Sequence, residues 1–292
     1  MTKARRAACA LLVAAALLPS ASASAGPWAP EQGHGYAKVW VKYLLGFGFS
    51  DSDGSFSNYQ SYHELFVASY GELGLGRRVS LWWQTDLVRA FFLRDPNTGR
   101  QSHAGIGDPA LGLAYQLVQR ASFALGVRGA VRVPFARDEP VQTVFERRRG
   151  GDGEFDAVGE LRIGEGAVGM PFSLEVGYSF GAWYLAGSAG YEVRLAGYDD
   201  RILWSVEGGR DFGNFRGRVR LSGAHSIRRG SAERVNTPSG QGNGVSYAGA
   251  AVEAERHVGG DTYVGASIEG GIGGLRSQSG GPVVSVYVAT TF

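Results

Sequence analysis

The 292-residue chain contains a single cysteine, Cys9, and no apolar run long enough to cross a bilayer as a helix. A helical span takes about 20 apolar residues. The greasiest stretch, Ala7 to Leu18, stops well short of that, and nothing later matches it. A helical membrane protein is therefore excluded. With its one cysteine inside that stretch, the chain has no disulfide framework and no thiolate metal or redox site. Cys9 lies ahead of most of the apolar core, so it cannot anchor a lipoprotein at a cleavage site. Excess charge is also missing: 29 basic residues face 27 acidic ones, a net charge of +2. Such a balance carries no electrostatic footprint for nucleic acid. The five histidines, His34, His63, His103, His225 and His257, are scattered singly and show no metal-ligand spacing.

What the chain does have begins at its first residues. Lys3, Arg5 and Arg6 precede the apolar run, and Ala23-Ser24-Ala25 follows it. A charged start, a short apolar core and a small-residue cut site define a signal peptide over residues 1–25. Residues 26–34, with Pro27 and Pro30 and no periodicity, read as a short periplasmic lead-in. The remainder, 35–292, is rich in glycine (46 in the whole chain) and in aromatics at 12%. That mixture suits a barrel in which half of each strand faces lipid and half a polar interior.

The strands are read from a period of two. Val39, Val41 and Tyr43 alternate with Lys38, Trp40 and Lys42. Leu65, Val67 and Ser69 alternate with Glu64, Phe66 and Tyr70, and Val79, Leu81, Trp83 and Leu87 with Ser80, Gln84 and Asp86. Similar segments recur around Leu111 to Leu117, Phe123 to Val133, Trp183 to Arg194, Arg216 to Leu221, Ala250 to Glu255 and Val264 to Glu269. Between them, Arg94 to Ser102, Ala136 to Gly153 and Arg228 to Gly244 read as long polar loops, whereas links such as Arg77-Arg78 are tight. Long loops and short turns must lie at opposite ends of a meander. With both termini in the periplasm the strand number is even, and about twelve fit the chain. Residues 154–195 admit either two strands, one long and bulged near Gly164 to Met170, or three; parity favours two. The expected fold is an all-β, transmembrane, antiparallel up-and-down barrel in the cell outer membrane.

The polar face of these strands carries many charges. Lys38, Lys42, Arg128, Arg132, Glu160, Arg162, Glu175, Glu192, Arg194, Glu207, Arg216, Arg218, Arg220, Glu253, Glu255 and Glu269 are the candidate pore-lining residues. A charge exposed to lipid costs several kcal/mol, of order 2–4 for a cation at the midplane, so these residues must face water or a partner. The row Arg216, Arg218, Arg220 stands next to Glu253 and Glu255 on the following strand, which predicts cross-strand ion pairs. The last strand, Val284, Val286, Val288, Thr290 and terminal Phe292, has the form of the insertion signal read by the barrel assembly machinery. A soluble β-sandwich also alternates, but it does not require that ending.

No catalytic constellation is expected. His225 and Ser226 are adjacent, and neighbours on a strand point to opposite faces. Gly105-x-Gly-x-x-Ala110 is followed by no helix, so it is not a dinucleotide loop. Asp51 to Asp53 and Asp199-Asp200 offer too few ordered oxygens for Ca²⁺ and read as solvated turns. The chain is expected to be no enzyme and to bind no cofactor or metal.

Two stretches carry a family resemblance. Tyr70-Gly71-Glu72-Leu73-Gly74-Leu75-Gly76-Arg77-Arg78-Val79-Ser80-Leu81 and Gly105-Ile106-Gly107-Asp108-Pro109-Ala110-Leu111-Gly112-Leu113-Ala114-Tyr115 resemble a family of outer-membrane barrels named for the phenol-degradation meta pathway. The likeness covers chiefly residues 64–134; where that family tends to carry Pro-Thr-Gly, this chain has Pro134-Phe135-Ala136. The family is distantly related to channels for hydrophobic compounds. The resemblance implies a narrow passive channel for small solutes, hydrophobic or aromatic ones among them. Its partners would be outer-membrane lipid, the barrel assembly machinery and the solute, with no nucleic acid. Two other readings stand beside it: a structural or adhesive barrel with a side-chain-plugged lumen, acting through loops 136–153 and 228–244, and an outer-membrane lipid hydrolase.

Overall fold

The computed structural model describes residues 27–46, 48–50, 54, 56–57, 62–95, 99–136, 142–147, 155–227, 230–232, 237, 239–276 and 278–292. The signal peptide expected at 1–25 and Asp51 to Asp53 lie outside the described residues. In chain order the strands are β1 (Gly35–Gly46), β2 (Gly48–Ser50), β3 (Phe56–Ser57), β4 (Tyr62–Gly76), β5 (Val79–Asp95), β6 (Gly99–Gly105), β7 (Ala110–Gln119), β8 (Phe123–Arg132) and β9 (Gln142–Arg147). There follow β10 (Phe155–Leu161), β11 (Gly169–Phe180), β12 (Trp183–Arg194), β13 (Asp200–Asp211), β14 (Phe215–Ile227), β15 (Ser246–Gly259), β16 (Thr262–Arg276), β17 (Gln278–Gly280) and β18 (Val283–Thr291).

One antiparallel sheet runs β1-β4-β5-β6/β7-β8-β11-β12-β13-β14-β15-β16-β18 and closes on itself where β18 pairs with β1. Strands β6 and β7 pair with successive halves of β5, so they are two parts of one stave and the barrel has twelve. Closure is completed by the last residue. Gly35 N donates to the Phe292 carbonyl at 2.8 Å and Phe292 N to the Gly35 carbonyl at 3.1 Å, and the Phe292 ring lies where a Cβ on Gly35 would stand. A closed sheet leaves no backbone edge for lipid to meet, which is what permits strands to span a bilayer.

The alternation sorts the side chains as a membrane requires. Val39, Val131 and Val286 stand 48%, 46% and 62% exposed on the outside, whereas Glu64 and Glu192 on the inner face are 1% and 0% exposed. Outward Tyr178, Phe180, Trp183, Phe212 and Phe215 gather at the end bearing the short turns, as an interfacial girdle. The Arg210 guanidinium lies 4.8 Å from the Trp183 ring and 4.7 Å from the Phe212 ring there, its charge reaching the interface. A closed barrel with such a belt is an outer-membrane protein.

Three expectations change. The charged segment Ala136 to Gly153 contains β9, which forms a separate hairpin with β10. The polar stretch Arg94 to Ser102 is mostly strand, because β5 and β6 extend their pairing as far as Asp95↔Gly99. Within 154–195 the barrel takes two strands, β11 and β12, but residues 162–168 are no bulge: they leave the wall and enter the lumen. Elsewhere bulges do occur, and one between Val67↔Val88 and Ala68↔Asp86 makes Leu87 an extra residue, so Leu87 and Val88 both face outward.

Glycine matters where an aromatic ring crosses a strand. On the inner face, a Cβ at Gly265 would come within 2.2 Å of the Tyr287 ring. That ring is 4% exposed, and its hydroxyl donates to Glu253 at 2.9 Å and Glu255 at 3.1 Å. The substitution Gly265→Ala is expected to displace the ring and cost about 1–3 kcal/mol, the usual range for overpacking. Guanidinium unfolding in detergent micelles, followed by tryptophan fluorescence, would register the loss; an unchanged midpoint would mean the ring has room to move.

Candidate functional site

The interior divides along the barrel axis into three levels. At the short-turn end, the lead-in does not hang in the periplasm but folds into the mouth. The Gln116 side chain on β7 donates from Nε2 to the Pro27 carbonyl at 2.7 Å and accepts from Ala29 N at 3.2 Å. Trp28 meets Tyr184 edge-on at 6.4 Å, and Gly33 N donates to the Gly74 carbonyl at 2.9 Å. Gly74 is glycine because the backbone lies against it: a Cβ there would stand 2.1 Å from the Glu31 carbonyl oxygen.

Beyond this segment lies a chamber of about 330 Å³, lined by Pro27, Lys38, Trp40, Lys42, Arg128, Glu175, Glu207, Arg218, Arg220, Glu253, Glu269 and several serines. On its periplasmic side is a vestibule of about 850 Å³, walled in part by Trp28, Pro30 and Glu31. Tyr36 and Arg218 border both spaces. The chamber walls are bound together by ion pairs, some between neighbouring strands and some across intervening ones. Lys38 reaches over β18 and β16 to Glu253 at 2.9 Å, and Lys42 reaches Glu269 at 2.7 Å. Arg218 pairs with Glu253 and with Glu255 at 2.8 Å; Arg216 pairs with Asp211 at 3.1 Å and Glu255 at 3.5 Å. Arg128 joins Glu175 at 3.0 Å and Glu72 at 3.4 Å. The serine couples Ser188/Ser205 and Ser267/Ser285 sit hydroxyl to hydroxyl at 2.7 and 2.6 Å. Polar walls of this kind hold water, and a solute inside them meets hydrogen-bonding groups on every side.

At the long-loop end, residues 161–167 turn inward and fill the mouth. Leu161 and Ile163 pack on Tyr62, Phe91, Leu93 and Leu44 of the wall. Asp108, in the break between β6 and β7, holds the segment: one carboxylate oxygen accepts from the Phe135 and Ala136 amides at 2.9 Å, the other from Glu165 N at 2.6 Å. Glu165 then faces three guanidiniums, Arg132 at 3.1 Å, Arg194 at 3.1 Å and Arg201 at 2.8 Å, and Arg201 also pairs with Glu192 at 2.7 Å. Burial raises the Glu165 carboxyl, but Arg201, Arg132 and Arg194 more than offset this and hold it well below the ordinary carboxylate range. The second long loop is tied in as well. Arg194 donates to the Gly242 carbonyl at 2.9 Å, and Arg89, paired with Glu64, donates to the Ser239 carbonyl.

Of the candidate residues, Lys38, Lys42, Arg128, Glu175, Glu207, Arg218, Arg220, Glu253 and Glu269 come together around the chamber, with Arg216 and Glu255 at its vestibule side. Arg132, Glu192 and Arg194 belong instead to the outer cluster. Glu160 and Arg162 stand off the barrel wall: Glu160 is in the β9/β10 hairpin, and Arg162 donates to it at 2.8 Å. Five inner-face residues outside the candidate set carry as much of the network: Glu64, Glu72, Arg89, Glu165 and Arg201. Asp199 and Asp200 are not solvated turns. Asp199 is buried and accepts from Gly230 N at 3.1 Å, and Asp200 accepts from the Tyr191 hydroxyl at 2.6 Å. His225 is exposed while Ser226 is buried, so the two lie on opposite faces of β14. Among the described residues no cluster of metal-ligating side chains occurs.

No protein-family model and no curated protein matches the sequence. Solved structures do match in fold. An outer membrane channel from Pseudomonas putida F1 aligns with a TM-score of 0.60 at 11% identity, covering 90% of this chain and 97% of that one. A mutant of the monoaromatic hydrocarbon channel TodX aligns at 0.45 with 10% identity, covering 91% of each chain. An active-site mutant of outer membrane phospholipase A from Escherichia coli aligns at 0.42 with 12% identity, covering 96% of each.

Proposed function

We propose that this barrel is a passive channel that passes small solutes down their concentration gradient through the central chamber. The observation that carries the reading is the polar chamber of about 330 Å³ meeting the larger vestibule beside Tyr36 and Arg218. The fold shared with an outer membrane channel supports it, and so does the family resemblance in residues 64–134. The chamber is at the small end of the roughly 300–1,000 Å³ range of ligand sites, so solutes of one ring or less suit it. Trp40, Tyr36 and Tyr70 bring aromatic side chains to its wall, which suits aromatic solutes. Selectivity comes from chamber width and from the charges on its wall. The closing strand, Val284 to Phe292, is proposed as the segment the assembly machinery reads, and the apolar belt as the surface lipid covers.

The purified barrel in planar bilayers is expected to give discrete, solute-sensitive current steps; a silent bilayer containing correctly folded barrel would remove the channel reading. One observation favours a second reading, a structural barrel with a closed lumen: both mouths hold inserted chain, the outer one pinned by Glu165. That reading requires the silent bilayer.

A further inference from the structure

Resting on the channel reading, we infer that the chamber selects small organic anions with an apolar body, and that Arg220 is the residue that selects them. The three arginines of β14 differ in one respect. Arg216 and Arg218 are each held by two carboxylates. Arg220 stands opposite Glu207 in the sheet register, but the Glu207 carboxylate takes the Tyr184 hydroxyl, and no carboxylate among the described residues lies within ion-pair distance of Arg220. Its neighbours on the chamber wall are small: Ala251 is its register partner on β15, and Ala186 faces Glu207 from β12. The guanidinium is therefore exposed to the cavity rather than spent on the wall.

The other cations of the chamber wall are each taken: Lys38 by Glu253, Lys42 by Glu269, Arg128 by Glu175 and Glu72, and Arg218 by Glu253 and Glu255. A guanidinium with no carboxylate bound to it, set between low-dielectric walls, attracts anions. A guanidinium also presents parallel N–H groups that a carboxylate accepts as a pair. A pure hydrocarbon filling the chamber would strip water from Arg220 and give nothing back, an unfavourable exchange for a charge. The apolar part of the ligand meets the Trp40 side chain, which lines the same chamber with the Lys38 and Lys42 ammoniums over its ring, each 5.6 Å from the centroid. One free guanidinium, one indole and a small volume describe a monocarboxylate of about one ring.

The test measures reversal potentials in planar bilayers under gradients of potassium benzoate and of benzylammonium chloride, whose bodies match and whose charges are opposite. In the wild-type barrel benzoate is expected to permeate better than benzylammonium. Arg220→Gln should lower that preference about tenfold, the worth of one charge-assisted hydrogen bond, and Arg220→Lys should keep most of it. Because Arg220 has no ion-pair partner among the described residues, the variants are expected to fold as the parent does, checked by heat-modifiable gel migration. A benzoate preference absent from the wild type, or unchanged in Arg220→Gln, overturns the inference and leaves the channel standing. Wild-type barrel that passes neither ion overturns the channel reading and the inference together.

Discussion

Removal of residues 27–32 is expected to raise single-channel conductance several-fold without opening the barrel wall. This segment is the only chain the described residues place across the periplasmic mouth, with Pro27 lining the chamber and Trp28, Pro30 and Glu31 the vestibule. Its hold on the lumen is specific but light: two hydrogen bonds to the Gln116 amide, one edge-on aromatic contact between Trp28 and Tyr184, and a bridge of Gln32 to Gly74. None of these contributes to closing the sheet, which depends on β1 pairing with β18 from Tyr36↔Thr291 onward. The deleted barrel should therefore migrate as a folded species while its current steps grow, since the resistance of a pore is set by its narrowest level. Gln116→Leu gives a graded version. It deletes both hydrogen bonds of the side chain and should shift the channel toward noisier, larger openings. Equal conductance in the parent and the deletion would place the limiting constriction at the outer cluster.

How much of this was legible in the sequence follows from which parts obey a period. Lys38, Lys42, Arg218 and Glu253 lie on regular strands, and a period of two puts them on one face whatever their partners are. The pairing of Arg216 and Arg218 with Glu253 and Glu255 was legible for the same reason, because consecutive strands β14 and β15 are joined in register, whereas Arg220 in the same row faces Ala251 and takes no carboxylate among the described residues. Arg89 was hidden by the bulge at Leu87, which shifts the alternation by one residue, so counting from Val79 puts it on the wrong face. Arg201 stands two residues before Leu203 on the same inner face, but the Asp199-Asp200 pair before it reads as a turn. Glu165 had no signal at all. The segment 161–167 is irregular backbone, and its inward path is decided by Asp108, Ile163 and three arginines from distant strands, none of which leaves a local trace. The path of the lead-in was hidden on similar grounds: Pro27 and Pro30 forbid regular structure but do not say whether the chain lies outside the mouth or within it. The fold was thus readable wherever the wall repeats itself, and the inserted segments that shape the lumen were not.

Those segments also concentrate stability, and Glu165→Gln is expected to cost about 3–5 kcal/mol, the penalty for breaking a buried ion network on one side. The carboxylate is 4% exposed and is the shared partner of Arg132, Arg194 and Arg201. Replacing it with an amide leaves Arg132 and Arg201 sharing Glu192, and Arg194 with no carboxylate among the described residues. Arg194 and Arg201 are themselves buried and cannot retreat to water. Repulsion among them should loosen residues 161–167 and, through the Arg194 bond to Gly242, the second loop as well. Two readouts should move together: the guanidinium midpoint of the micellar barrel falls, and its conductance rises as the outer mouth clears. The effect has a pH signature. The folded-state carboxyl titrates below its ordinary value of 4.5, so its contribution is fully present above that pH and fades as the pH falls toward the folded-state value. Parent and variant should therefore differ most at neutral pH and converge on acidification below about 4.5. A gap that stays constant down the acid range would mean that Glu165 acts through packing, and an absent gap at neutral pH would mean that the three arginines find other anions or water when it is gone.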